Sequence, residues 1–311
     1  MTTLYLALQA LLPQHLISRA IGWLALLEKP LWFKNMLIQA FVAAYGIDLS
    51  EAEGQRAEDY PHFNAFFTRA LVAGARPMAD SEWLQVADGV VSELGQIDGD
   101  LLLQAKGRYY TAQALLAGSA DEAAAYHNGS FMTVYLSPRD YHRVHMPTAG
   151  RLIKTRYVPG DLFAVNLKTA AGVEQLYARN ERLVCFFESE QGPLVMVLVG
   201  AIIVAGIETV WGGVEVPDPD AIREVNFSPD EAPSFAAGEE IGRFFLGSTV
   251  VLLTPETLSW QVEAGAAVKV RGALANTALS DDTTALSDDT TALSGDTTAP
   301  DENDLGSSET I

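Results

Sequence analysis

The feature that most constrains this chain is a change of rhythm near Trp83. Before it, apolar residues recur at helical spacing. After it, Gly, Pro and Asp punctuate short runs rich in Val, Ile, Leu, Phe and Tyr, which predict strands. The longest run, Leu194 to Ile207, is fourteen residues without a charge. Gly200 and Gly206 interrupt it and Val and Ile are frequent, so buried strands explain it better than a membrane span. The expected architecture is α+β: helices first, then a mostly β core.

The helical part is unusually apolar. Leu4, Leu8, Leu11 and Leu12 share a face, Pro13 breaks or bends the chain, and Ile17, Ala20, Ile21, Leu24 and Leu27 continue the pattern. Leu31 to Tyr45 forms a further apolar helix with Trp32, Phe33, Met36, Leu37 and Phe41. A spanning helix needs about 20 apolar residues, and Arg19, Lys29 and Lys34 interrupt before that length. A signal peptide is not expected, because no basic residue precedes the first apolar stretch. Two readings survive for 1–47: amphipathic helices lying in a membrane interface, or helices packed on the core or a dimer face. Residues 48–80 read as a polar connection with one short helix anchored by Phe63, Phe66 and Phe67.

The net charge of −20 is concentrated at the end of the chain: residues 273–311 hold nine acidic and no basic residues, leaving −11 on 1–272. An acidic excess argues against nucleic acid as a partner. Residues 278–298 repeat the heptad Ala-Leu-Ser-Asp-Asp-Thr-Thr, with Gly295 for one Asp. One leucine in seven builds neither a core nor a coiled-coil seam, so a disordered, dispensable tail is expected from Ala273, with the folded core ending at Gly272. The single cysteine, Cys185, sits among apolar residues and reads as core; one thiol cannot form an internal disulfide, which suits a reducing compartment.

Chemistry concentrates in three segments. Phe244-Phe245-Leu246-Gly247-Ser248-Thr249-Val250 sets a Gly-Ser bond in a strand-like run. Val86-Ala87-Asp88-Gly89 offers a turn aspartate, and Tyr135 to Pro147 holds His142 and His145 around a turn at Ser137-Pro138-Arg139-Asp140. Together they supply the serine, histidine and aspartate that activate a hydroxyl nucleophile. Taken singly, each has a plain structural reading: a strand-end serine, a core histidine, a turn acid. Two histidines three apart also suit a metal, but no third ligand lies close in sequence, so no metal is expected. Spacing alone does not select Asp88 from the other acids.

All three segments resemble phosphatidylserine decarboxylase, and they occur in that family's order. The resemblance covers roughly residues 1–270 and is densest at 84–117, 130–165 and 239–251. It departs at Phe245, where many relatives carry a polar residue. It implies self-cleavage between Gly247 and Ser248 into a β chain, 1–247, and an α chain, 248–311. It assigns Ser248, His145 and Asp88 to the cleavage triad and His142 to proton transfer in decarboxylation. Ser248 becomes a covalent pyruvoyl group, the only cofactor, which forms a Schiff base with phosphatidylserine. The resemblance further implies a barrel-sandwich type of core within 48–272, a homodimer of processed chains, and peripheral attachment of 1–47 to the cytoplasmic face of the cell membrane. Three rivals remain: a serine hydrolase acting on an external ester, a non-catalytic membrane-binding module, and a pyruvoyl amino-acid decarboxylase. The hydrolase lacks a Gly-x-Ser-x-Gly elbow and predicts an uncut chain. The apolar N-terminus argues against the last.

Overall fold

The computed structural model describes residues 13–202, 206–215, 221–245 and 247–278. The expected helix over 1–12 and the repeat tail from 279 fall outside them.

Helix α1 (Gln14–Ala25) starts directly after Pro13, which has no N–H to leave unpaired. Helix α2 (Leu31–Tyr45) ends at Gly46, whose left-handed φ of 60° suits a residue without Cβ. Helix α3 (Phe63–Phe67) is capped by His62, whose ring nitrogen accepts from the Ala65 N–H at 3.1 Å. Phe63, Phe66, Phe67, Ile38, Ile47 and Tyr60 close a small core between α2 and α3. Lys34 is buried there, donating to the carbonyls of Ala57 (2.8 Å) and Tyr60 (2.6 Å).

The strands that position the site are β1 (Gly89–Gln96), β2 (Ser130–Leu136), β3 (Arg143–His145), β4 (Gly150–Val158), β5 (Arg182–Ser189), β6 (Gly192–Val199), β7 (Glu240–Phe244), β8 (Ser248–Thr254) and β9 (Ala273–Thr277). Among the described residues, nine strands form one antiparallel sheet. Its order is Arg223–Asn226, β4, β5, β6, β8, β2, β1, Ala267–Val268, with Ser234–Phe235 also on β4. A smaller sheet carries Gly213–Val214, Ile207–Thr209, β7 and β3.

Both faces of the large sheet are covered. Val250 and Leu252 of β8 pack into one apolar cluster with Met132, Val134, Met196 and Leu198. Val251 and Leu253 point the other way, joining Phe131, Val195 and Val197. Side chains alternate with period two, so two buried faces make the sequence apolar throughout rather than alternating. The uncharged run from Leu194 resolves as expected: β6, a break at Gly200, and a new strand at Ile207. Cys185 is a core residue whose thiol is pushed up by burial.

The end of the fold differs from expectation. Ala273–Thr277 is a strand, not tail. It pairs with Trp83–Leu84 (Trp83↔Ala275) and with Leu258–Trp260 (Leu258↔Thr277), and Leu274 and Ala275 are fully buried. One large apolar residue in five gives no local signal. The pairing with a segment some 190 residues upstream decides it. A stop after Ala278 is therefore expected to leave the thermal midpoint unchanged. A stop after Gly272 removes the Leu274 side chain and the ladder, costing about 2–5 kcal/mol for the leucine alone. Thermal unfolding of the two truncations checks this.

Candidate active site

Ser248 opens β8 in the middle of the sheet, fully buried. Its neighbour Gly247 has φ +76°, a conformation that side chains rarely adopt, and a Cβ there would meet nothing within 4 Å. The space beside the Gly247 Cα, where a side chain would stand, is thus open.

Antiparallel register pairs Ser248 with Leu136, the last residue of β2. The chain then turns through Ser137 to Asp140, as expected. The Asp140 carboxylate accepts from the Ser137 N–H (2.8 Å) and hydroxyl (2.6 Å), and the Asp140 N–H returns to the Ser137 carbonyl (2.9 Å). This turn delivers His142 beside Ser248, with 3.5 Å between Ser248 Oγ and His142 Nδ1. That is long for a hydrogen bond, as catalytic contacts often are before substrate binds.

The tautomer of His142 follows from its other contact. Nε2 lies 3.0 Å from the Ser137 carbonyl, which only accepts, so Nε2 carries the proton and Nδ1 turns its lone pair to Ser248. The ring is fully buried and stacks on Phe67, with 4.0 Å between centroids. Burial, reinforced by the Arg69 charge, pushes its pKa down to about 3, against hydrogen bonding to Ser137 and attraction from Asp88. His142 is therefore neutral at physiological pH, placed to take a proton from a hydroxyl.

His145 is held differently. It lies in β3, and its N–H donates to the Val86 carbonyl at 2.8 Å. Nδ1 donates to the Gly238 carbonyl (2.9 Å), leaving Nε2 to accept from the Tyr141 hydroxyl (3.1 Å). Burial lowers its pKa as well. His145 and Tyr141 face a cleft of about 270 Å³ shared with Arg76, Arg143 and Arg271.

Asp88 is buried at the start of β1. Arg76 grips both its oxygens (3.1 and 2.6 Å), Lys269 approaches to 3.1 Å, and the Val270 N–H donates at 2.8 Å. Burial alone raises its pKa. The Arg76 and Val270 hydrogen bonds and the two cations outweigh that, and the net shift is downward. A carboxyl with a depressed folded pKa contributes stability above its unfolded pKa, and loses it as pH falls through the folded value. Asp88→Asn is expected to leave Arg76 buried without its main partner and to cost about 3–5 kcal/mol. It also flattens the acid limb of the stability curve, which urea unfolding at a series of pH values checks.

The structure thus brings Ser248 and His142 together. It places His145 against Tyr141 and Gly238, and Asp88 against Arg76 and Lys269. The three segments are neighbours, since the His145 N–H meets the carbonyl two residues before Asp88, but Ser248, His145 and Asp88 form no hydrogen-bonded relay. Sequence reasoning passed over Arg69, Arg76 and Tyr141. Tyr141 stood inside the histidine segment, and Arg69 closed the phenylalanine segment read as packing. Arg76 gave no local signal.

A family model described as phosphatidylserine decarboxylase matches residues 63–276, and a second, described as PSD, matches 4–46. The first ends inside β9, in keeping with that strand being part of the fold. The chain belongs to the phosphatidylserine decarboxylase family. It is thus an enzyme, a lyase. The phosphatidylserine decarboxylase proenzyme of Alcanivorax borkumensis is 52% identical over 277 residues, covering 87% of this chain and 95% of the relative. That of Ectopseudomonas mendocina is 48% identical over 283 residues, covering 89% and 99%. That of Pseudomonas aeruginosa strain LESB58 is 50% identical over 275 residues, covering 86% and 94%. Within the phosphatidylserine decarboxylase family, "proenzyme" in these names denotes a chain that is processed to become active.

Proposed function

We propose that this chain converts phosphatidylserine to phosphatidylethanolamine and carbon dioxide with a pyruvoyl group made from its own Ser248. The observation that carries the reading is the Gly247–Ser248 pair. It combines an open glycine at positive φ with a buried hydroxyl facing the lone pair of a neutral imidazole. Ser248 Oγ attacks the Gly247 carbonyl carbon, the peptide C–N bond breaks, and an ester replaces the amide. Loss of the Ser248 α-proton expels Gly247 as a carboxylate. Hydrolysis of the resulting enamine releases ammonia and leaves a ketone at the new N-terminus.

The surroundings fit such a group. Position 248 is buried, which limits water, and Thr249 to Leu253 stay paired to strands on both sides, so the cut chain keeps its place. Once formed, the ketone would supply an electron sink for the electron pair that carbon dioxide leaves behind. The substrate amine arrives as an ammonium. His142 Nδ1, the ring nitrogen that faces Ser248, is placed to pass a proton to the carbon that carbon dioxide leaves.

Two assignments of the cleavage base compete. The resemblance gives His145, oriented by Asp88. The 3.5 Å contact and the tautomer favour His142. Intact mass spectrometry tests the reading as a whole. Two chains, 1–247 and 248–311, are expected, the smaller blocked to N-terminal sequencing. A single intact chain in active protein, as the serine-hydrolase alternative requires, overturns it.

The helices support a lipid-facing role. In α1 the buried residues are Gln14, Ser18, Gly22 and Ala25, while Leu16, Trp23 and, at the C-cap, Leu26 are exposed. In α2 Lys34 and Ile38 are buried, while Leu31, Trp32 and Met36 are exposed. In α1 large side chains lie outward and small ones inward, the reverse of a surface helix in water. Among the described residues no helix is long and apolar enough to cross a membrane. We read these helices as a peripheral attachment to the cell membrane, at the cytoplasmic face that the resemblance implies. Co-sedimentation with phosphatidylserine vesicles, lost in Trp23→Ser/Trp32→Ser, checks it. The homodimer that the resemblance implies is checked by light scattering.

A further inference from the structure

We propose that Arg69 receives an oxyanion of the substrate headgroup beside His142. The proposal rests on the phosphatidylserine reading above. Arg69 follows α3 and is 5% exposed. Its Nη2 donates to the carbonyls of Arg139 (3.0 Å) and Asp140 (3.3 Å), in the turn that carries His142. Its Nε and Nη1 are buried and meet no acceptor among the described residues. A guanidinium cannot shed its charge, and taking it out of water without an anion is costly.

Other buried guanidinium groups here are satisfied. Arg182 donates from Nε, Nη1 and Nη2 to the carbonyls of Leu115, Asn180 and Ala114. Arg76 pairs with Asp88 and Glu51. The acids around Arg69 are already engaged. Both Asp88 oxygens are held by Arg76, and one Asp140 oxygen takes the Ser137 N–H and hydroxyl. Arg69 is thus a fixed cation with two spare donors, close enough to His142 for its charge to weigh on the ring. A phosphatidylserine headgroup brings two oxyanions, the serine carboxylate and the phosphodiester, and either completes the pair.

The test uses the processed protein and three soluble probes. Glycerophosphoserine carries both oxyanions, glycerophosphoethanolamine only the phosphodiester, and serine only the carboxylate. Calorimetry measures their binding to wild type, Arg69→Gln and Arg69→Lys, and intact mass first confirms that each is cut. Removing a charged hydrogen-bond donor is expected to weaken glycerophosphoserine about 10- to 100-fold in Arg69→Gln. A matching loss with glycerophosphoethanolamine identifies the phosphodiester, and one with serine identifies the carboxylate. If Arg69→Gln does not fold or cut, Arg69→Lys decides. A lysine that holds the two carbonyls lacks the spare planar donors, so several-fold weaker binding is expected. A cut variant that binds all three probes as wild type does overturns the role of Arg69 and leaves the substrate reading standing. A wild-type protein that binds none of them overturns both.

Discussion

Ser248→Ala is expected to remain a single chain of 311 residues and to lose decarboxylase activity by about 10⁶-fold or more, the lower end of what enzymes contribute. Alanine removes the attacking hydroxyl, so no ester forms at Gly247. Without the ester there is no new N-terminus and no ketone, and nothing else at position 248 can accept electrons from a carboxylate carbon. The fold should survive. The hydroxyl's hydrogen bond to His142 is long, at 3.5 Å, and its removal costs at most about 1 kcal/mol. Intact mass, thermal unfolding and carbon dioxide release on one preparation check all three statements. A cut Ser248→Ala chain would show that the scissile bond lies elsewhere.

His142→Ala is expected to slow turnover by about 10²–10⁴-fold, the usual worth of a positioned acid–base group. The reason is placement: Nδ1 of His142 is the imidazole nitrogen that faces the atoms of Ser248. The same variant separates the two assignments of the cleavage base. A chain still cut at Gly247–Ser248 leaves cleavage to His145, as the resemblance implies, and confines His142 to turnover. An uncut chain makes His142 the base for both. His145→Ala is the complement, since its ring contacts Tyr141 and Gly238 rather than Ser248. Because the His142 ring stacks on Phe67, thermal unfolding must accompany both measurements.

Much of the fold was legible because the signals were local. The apolar helix over Leu31–Tyr45, the helix that follows Pro13, the short helix on Phe63 and Phe67, the turn at Ser137–Asp140 and the buried strands around Gly200 all appear where composition and spacing put them. Strand β9 was not legible, because Ala273 and its neighbours carry no periodicity and run into a repeat. Only pairing with Trp83–Leu84 and Leu258–Trp260 makes them a strand. The partners of Asp88 were hidden for the same reason: Arg76 and Lys269 lie 12 and 181 residues away.

By itself the sequence pointed to most of the elements, to Gly247–Ser248 as the proposed scissile pair and to the family, through hydrophobic period, glycine chemistry and three segments in a characteristic order. Which imidazole meets the serine was a different kind of question. His142 and His145 are three residues apart and chemically identical, so no pattern in the chain ranks them. The ranking came from β-sheet register, which sets Ser248 opposite Leu136 and lets the following turn bring His142 to it. It also came from carbonyls: Ser137 fixes the proton on one ring, and Gly238, which lies 93 residues further along the chain, fixes it on the other. A hydrogen bond depends on distance and direction to within a few tenths of an ångström. Those are properties of the packed molecule, and only its tertiary structure sets them.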